Sequence, residues 1–269
     1  MQQAYTIILA PNPSIMTGPG TNTIILGGGD EGASVIDPAV DDNAFLDTII
    51  QAGAERGGIR RILITHEHPD HVGGAEALRK RLGVAIYAFS RQGVSFADEE
   101  IADGTTFPAG DDTIQALHTP GHRFDHLSFL LEKQRTLFAG DLISGITTNV
   151  IAPPEGDMLD YLNSLKRLQE VEISEIVPAH GPTITDAQAK ISEYIQHRML
   201  REQQVIQALE VLPPGATIAE MVPQIYVDVD PKLHPIAAWS VEAHLIKLEH
   251  DGLVEKLEHD RWALVRPTA

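Results

Sequence analysis

The chain has 269 residues, enough for one large domain or for one domain with a small appendage. A hydrophobic share of 43% suffices for a real core, and the absence of cysteine excludes disulfides and any thiolate metal site. With 38 acidic against 20 basic residues the formal net charge is -18, which repels a nucleic-acid backbone unless a local basic groove compensates.

No run of about 18 apolar residues is present, so no membrane-spanning helix and no membrane partner are expected. The opening MQQAYTIILAPNPSIM lacks a basic start followed by a long apolar stretch. It does not read as a secretory signal, and a cytoplasmic location is the default expectation.

In chain order, Tyr5 to Leu9, Thr23 to Leu26 and Ala33 to Ile36 read as strands separated by Gly-rich turns. Asp41 to Gln51 reads as a helix, Arg61 to Thr65 as an apolar strand, Val72 to Leu82 as a helix and Val84 to Phe89 as a strand. Strands follow at Thr113 to His118, Leu127 to Leu131 and Thr136 to Ala139. Met158 to Val171 is expected to be a helix, with Tyr161, Leu162, Leu165 and Leu168 on one stripe, and Glu175 to Pro178 a short strand. The texture then changes. Thr185 to Leu212 reads as one long helix with Ile191, Tyr194, Ile195, Met199, Val205, Ile206 and Leu209 as apolar positions, stopped by Pro213-Pro214-Gly215. A short helix at Ile218 to Ile225, a helix at Pro235 to His250 and a hairpin at Leu253 to Val265 resemble a winged helix.

The chemistry concentrates in the histidines. Strand Ile62 to Thr65 runs straight into His66, His68, Asp70 and His71, and burying such a cluster unpaired costs several kcal/mol, so packing does not explain it. His122, Asp141 and His180 each follow an apolar strand of their own. A lone histidine after a strand is more often a turn or satisfied core residue, but strand ends in an α/β fold can deliver such groups to one place. Imidazole and carboxylate suit zinc when cysteine is missing. Seven groups make two sites if one carboxylate is shared, and two metals at about 3.5–4 Å can hold a hydroxide between them.

With these residues the chain resembles the metallo-β-lactamase superfamily. The matching pieces are THEHPDHVGG (Thr65 to Gly74), TPGH (Thr119 to His122), AGD (Ala139 to Asp141) and PAHGP (Pro178 to Pro182), joined by Gly18 to Thr23 and Ile36-Asp37-Pro38. The resemblance implies an α/β fold, an αββα sandwich with metals at one edge between two sheets. It implies His66, His68 and His122 on a first metal, Asp70, His71 and His180 on a second, and Asp141 bridging. By analogy Asp37 orients a ligand histidine; the alternative is a turn residue before Pro38. The stretch from Tyr161 to Gln204 is similar to the β-lactamase-like protein 2 branch, which has a C-terminal winged-helix-like appendage and includes a single-strand RNA endonuclease and thioesterases of polyketide chains. The expected division is a catalytic domain at 1–190 and a mostly helical winged-helix-like domain at 191–269.

The resemblance implies attack by a metal-bridged hydroxide, with Asp70 holding its proton. Two zinc ions are the expected cofactors, with iron or manganese as alternatives. Arg123 is a candidate for an anionic substrate group and Tyr161 for a substrate oxygen, against a surface arginine and a core tyrosine. Ser144 to Asn149 are expected to line the cleft, His118 to be structural, and His126 to be structural or to support a ligand. The glycines at 27 to 29 read as a hairpin turn. The helix at Pro235 to His250 sets only Lys247 against Glu242 and Glu249, and the hairpin sets Lys256, Arg261 and Arg266 against Glu255, Glu258 and Asp260. The appendage therefore reads as a lid or a dimer surface rather than a DNA reader. The leading expectation is hydrolysis of a small-molecule thioester, ester or lactone; single-stranded RNA is the alternative substrate, and a homodimer is a possible assembly.

Overall fold

A computed structural model of the chain describes residues 4–212 and 215–265. Pro213 and Pro214, read as the stop of the long helix, and Arg266, read as a hairpin charge, lie outside the described residues.

Two sheets stack face to face. The first holds β1 (Tyr5–Leu9), β2 (Asn22–Gly27), β3 (Ala33–Ile36), β4 (Ile59–Leu63), β5 (Ala85–Ala88) and β6 (Glu99–Glu100) in that spatial order, antiparallel through β3 and parallel from there on. The second holds β7 (Thr106–Ala109), β8 (Asp112–His118), β9 (Leu127–Leu131), β10 (Thr136–Gly140) and β11 (Glu175–Pro178), with only the β10–β11 pair parallel.

The period of two in side-chain direction builds three layers of core from these strands. Ile24, Leu26 and Ile36 face Ile114, Phe129 and Phe138 between the sheets. Ile25, Val35 and Ile62 face outward, under Phe45, Leu46 and Ile49 of α1 (Asn43–Ala54) and Leu78 further along. Leu130 and Leu137 face the opposite way, under Tyr161, Leu162, Leu165 and Leu168. Each such residue, fully buried, stabilises the fold by roughly 1.5–3 kcal/mol.

The segment after β4 is two helices, not the single one that its pattern predicts: α2 (Pro69–Val72) and α3 (Ala75–Leu82). The break falls at Gly73 and Gly74, which press against the carbonyls of Ala39, Val40 and Pro38 where a Cβ has no room. The edge strands β6 and β7 carry no apolar alternation that a sequence reading would detect; β7 contains Pro108, at home on an edge.

On the outer face of the second sheet lie α4 (Met158–Gln169) and the first half of α5 (Ala187–Val211). The second half of α5 enters a separate core with α6 (Ile218–Ile225) and α7 (His234–His250). A three-stranded sheet of β12 (Ala216–Thr217), β13 (Val254–Lys256) and β14 (Arg261–Leu264), in the order β12-β14-β13, completes that unit. Thr217 and Glu220 form a reciprocal capping box at the start of α6. Met199, read as an apolar position of α5, is 42% exposed.

Candidate metal centre

All seven residues singled out as ligands converge at one end of the sheet pair. The strand ends of β4, β8, β10 and β11 deliver them, and the hydrogen bonds behind each side chain fix its direction.

Asp37 follows β3 in a left-handed conformation, φ 49°, which aspartate tolerates better than most residues. Its Oδ1 accepts from the Thr65 amide at 2.8 Å, and its Oδ2 accepts from the Thr65 hydroxyl at 2.6 Å and from His71 Nδ1 at 2.8 Å. The Thr65 hydroxyl in turn faces His66 Nδ1 at 3.0 Å. Both rings thereby turn Nε2 toward the centre. The alternative of a plain turn residue at Asp37 does not describe these contacts.

His122 donates from Nδ1 to the Val150 carbonyl at 2.8 Å. Gly121 makes its approach possible, since at φ 130° a Cβ would lie 2.2 Å from the Tyr161 Cα. The Asp141 amide donates to His126 Nε2 at 3.0 Å, so that ring is protonated on Nδ1, which faces the Thr119 hydroxyl at 2.9 Å. His126 thus holds the loop of Asp141 instead of adding a ligand. The loop of His180 is tied across the sheets by Asn22, whose Nδ2 donates to the carbonyls of Pro178 and Gly181.

Two donor sets result: His66, His68, His122 and Asp141, and Asp70, His71 and His180. In the first, His68 Nδ1 lies 2.8 Å from His66 Nε2 and 3.1 Å from His122 Nε2, with Asp141 Oδ2 3.5 Å from His122 Nε2. In the second, His180 Nε2 lies 3.3 Å from Asp70 Oδ2 and His71 Nε2 lies 3.7 Å from the same oxygen. Asp141 stands between the sets, its Oδ1 3.3 Å from His180 Nε2 and its Oδ2 3.7 Å from His71 Nε2.

These residues fit a metal. Tetrahedral zinc ligands at about 2.0–2.1 Å stand ~3.3 Å from one another, the scale seen here. His71 Nε2 and Asp141 Oδ1 are buried with no hydrogen-bond partner among the described residues, the signature of groups meant for an ion.

The electrostatics agree. Burial, then the neighbouring rings, pushes His66 well below the usual histidine value and His68 down to about 3; burial also lowers His122. Neutral imidazoles are what a metal requires. Burial opposes the charge on Asp141, but His71, His180 and His122 hold its carboxyl well below the usual range. Burial opposes a proton on His71 as well, yet Asp141 and Asp37 raise it well above the ordinary value. On His180 burial is again overcome, by the Asp70 hydrogen bond and Asp141. Protons are drawn there by carboxylates that a cation would satisfy.

Two expected substrate contacts are corrected. Arg123 is 4% exposed, and each guanidinium nitrogen already donates to a carboxylate: Nε to Asp125, Nη1 to Glu155 and Nη2 to Glu67. No free fork remains for a substrate anion. Tyr161 is fully buried and donates to the Leu142 carbonyl at 2.6 Å, so it does not reach the cleft. His118 is structural: it stacks on Phe89 with centroids 3.8 Å apart.

The donor sets open into a cleft of about 680 Å³. Ser144 and Thr147 to Asn149 line it, together with His197, Arg198 and Arg201 of α5 and residues of the C-terminal unit such as Tyr226, Ile236 and Trp239. Nothing in the sequence pointed to the α5 residues, because the unit that faces them arrives from later in the chain.

Residues 16–180 match the Metallo-beta-lactamase superfamily and residues 217–262 match the Beta-lactamase associated winged helix domain. The chain belongs to the metallo-beta-lactamase superfamily, and it is a metal-dependent hydrolase of that superfamily. It is 33% identical to a beta-lactamase-like protein 2 homolog of Drosophila melanogaster, over 97% of this chain and 94% of that one, and 33% identical to the Caenorhabditis elegans homolog, over 95% and 87%. An atrochrysone carboxyl ACP thioesterase of Aspergillus chevalieri is 38% identical over 75% of this chain and 64% of its own. In fold it is similar to a metallo-beta-lactamase family protein from Thermus thermophilus, with a TM-score of 0.80 at 20% identity, covering 97% of this chain and 99% of that one.

Proposed function

We propose that the chain is a two-metal hydrolase, with zinc in both positions, that cleaves a carbonyl substrate: a thioester, ester or lactone. The observation that carries this reading is Asp141, one carboxylate reaching both histidine sets while its Oδ1 has no hydrogen-bond partner among the described residues. Iron or manganese in the same donors is the alternative loading.

His66, His68 and His122 would hold one ion, Asp70, His71 and His180 the other, and Asp141 would span them. A metal pair bound by these residues would supply a water whose pKa is lowered toward about 7 and a Lewis acid for a substrate oxygen. Asp70, with 28% of its side chain exposed, would hold a proton of the attacking water. Asp37 fixes His71 throughout, and His126 fixes the backbone of Asp141. The thioesterase among the relatives supports a carbonyl substrate. The division into a catalytic body at 1–190 and an appendage at 191–269 goes with this reading, the appendage closing the far side of the cleft.

Cleavage of single-stranded RNA needs a basic track along the backbone. With Arg123 engaged by three carboxylates, the other arginines lining the cleft are Arg198 and Arg201 of α5, a single pair rather than a track, on a chain of net charge -18.

A panel of acyl thioesters and lactones, with labelled single-stranded RNA as an added arm, tests the proposal. Turnover of a carbonyl compound far above that of His66→Ala protein supports it. Carbonyl turnover equal to that control, with RNA cleaved by wild type and not by Asp141→Ala protein, replaces it by the ribonuclease reading.

A further inference from the structure

Arg198 and Arg201 sit one turn apart on the same face of α5 and line the cleft. Arg198 is 2% exposed, donates from Nη2 to the Asn149 carbonyl and lies over the Tyr161 ring at 5.0 Å. Arg201 donates from Nη1 to Gln204 Oε1 and to the Ile225 carbonyl, and lies over the Tyr226 ring at 4.4 Å.

Neither arginine has a carboxylate within ion-pair distance among the described residues, although the chain holds 38 acidic residues. Arg123, buried beside them in the cleft wall, has three. Arg198 Nε, Arg201 Nε and His197 Nδ1 are all buried without a hydrogen-bond partner among the described residues. Burying a guanidinium with no counter-charge is costly unless something else supplies the charge. Burial and the two arginines push His197 down to about 4, so the positive charge of this ledge belongs to the arginines.

A chain of hydrogen bonds links the ledge to the candidate metal centre. Arg198 donates to the Asn149 backbone, and Asn149 Nδ2 donates to the Asp141 carbonyl. Ile236 and Trp239 of α7 add apolar surface to the same cleft.

We propose that Arg198 and Arg201, with His197 beside them, form an anion site that selects acyl substrates carrying a carboxylate or phosphate remote from the reacting carbonyl. This rests on the carbonyl-hydrolase reading and names the substrate class for it: an apolar acyl compound with a negatively charged end.

The test uses three thioesters of equal chain length, ending in a carboxylate, a phosphate or the neutral methyl ester, on the zinc-loaded full chain. The ratio of kcat/KM for each anionic compound to that for the methyl ester is expected to be about 10 or more in wild type, the scale of one charge-assisted hydrogen bond. It should collapse toward 1 in Arg201→Gln, recover in part in Arg201→Lys, and stay unchanged in Arg135→Gln, a variant of a half-exposed arginine outside the cleft. The arm with the larger ratio identifies carboxylate or phosphate. A ratio near 1 in wild type, or one unmoved in Arg201→Gln, overturns the anion site while leaving carbonyl hydrolysis standing.

If no thioester is turned over beyond the Asp141→Ala background, the carbonyl reading fails and binding decides the site. Trp239 lines the cleft and the other tryptophan, Trp262, is buried in the C-terminal core, so Trp emission reports anion entry. Titration with inorganic phosphate and with acetate should then be about 10-fold weaker in Arg201→Gln for the anion that belongs there. Identical curves for both proteins overturn the proposal.

Discussion

The Asp37 carboxylate meets His71 Nδ1 at 2.8 Å, and the opposite nitrogen of that fully buried ring, Nε2, has no hydrogen-bond partner among the described residues. A carboxylate that fixes the tautomer of a ring in this way also raises its basicity toward a metal.

Asp37→Ala should therefore weaken metal binding at the Asp70–His71–His180 set by about 10–100-fold. Competition against a coloured zinc chelator measures this, and unchanged affinity at both positions would show that Asp37 serves only the backbone of Thr65.

Gly121 is required by space as well as by φ. In Gly121→Ala the new methyl meets the Tyr161 backbone, and the turn that presents His122 must shift. The expected cost is at least ~2 kcal/mol. Urea denaturation should show a lower midpoint, with metal retention weakened at the set containing His122. A midpoint equal to that of wild type would mean that the loop yields freely.

Glu202 joins α5 to α7 through Lys247, at 3.0 Å, with both side chains largely buried. Burial favours its protonated form, but the Lys247 hydrogen bond, with the His244 ring 3.6 Å away, prevails and lowers its pKa. A carboxylate depressed in the folded state adds stability above its unfolded pKa and loses it as pH falls through the folded one. Wild type should exceed Glu202→Gln by about 2 kcal/mol near neutrality, and the gap should close below about pH 4. Urea midpoints of the two proteins at pH 7, 5 and 3.5 check the sign; a gap that widens on acidification would contradict it.

The candidate metal centre was legible because its donor residues are written two ways. His66, His68, Asp70 and His71 are crowded into one run, where packing has no use for them. His122, Asp141 and His180 each end an apolar strand, and strand ends meet when two sheets stack. The fold was legible for the same reason: Leu127 to Leu131 and Glu175 to Pro178 announce themselves by apolar content. The roles of Arg123 and Tyr161 were not legible. Position next to a ligand, or at the start of a helix, says nothing about Glu67, Asp125 and Glu155 closing on the guanidinium, or about the Leu142 carbonyl taking the hydroxyl. Arg198 and Arg201 look like ordinary helical charges until α6 and α7 fold back against α5. The strands Glu99–Glu100 and Ala216–Thr217 are two residues each, too short for any periodicity.

The most direct test of the two-metal centre is elemental analysis of the purified chain with its Asp70→Ala, His180→Ala and Asp141→Ala variants. Two donor sets sharing one carboxylate predict about two zinc equivalents per chain in wild type, about one in Asp70→Ala and His180→Ala, and less than one in Asp141→Ala. A single equivalent in wild type that the Asp70 and His180 variants retain in full would contradict the shared centre.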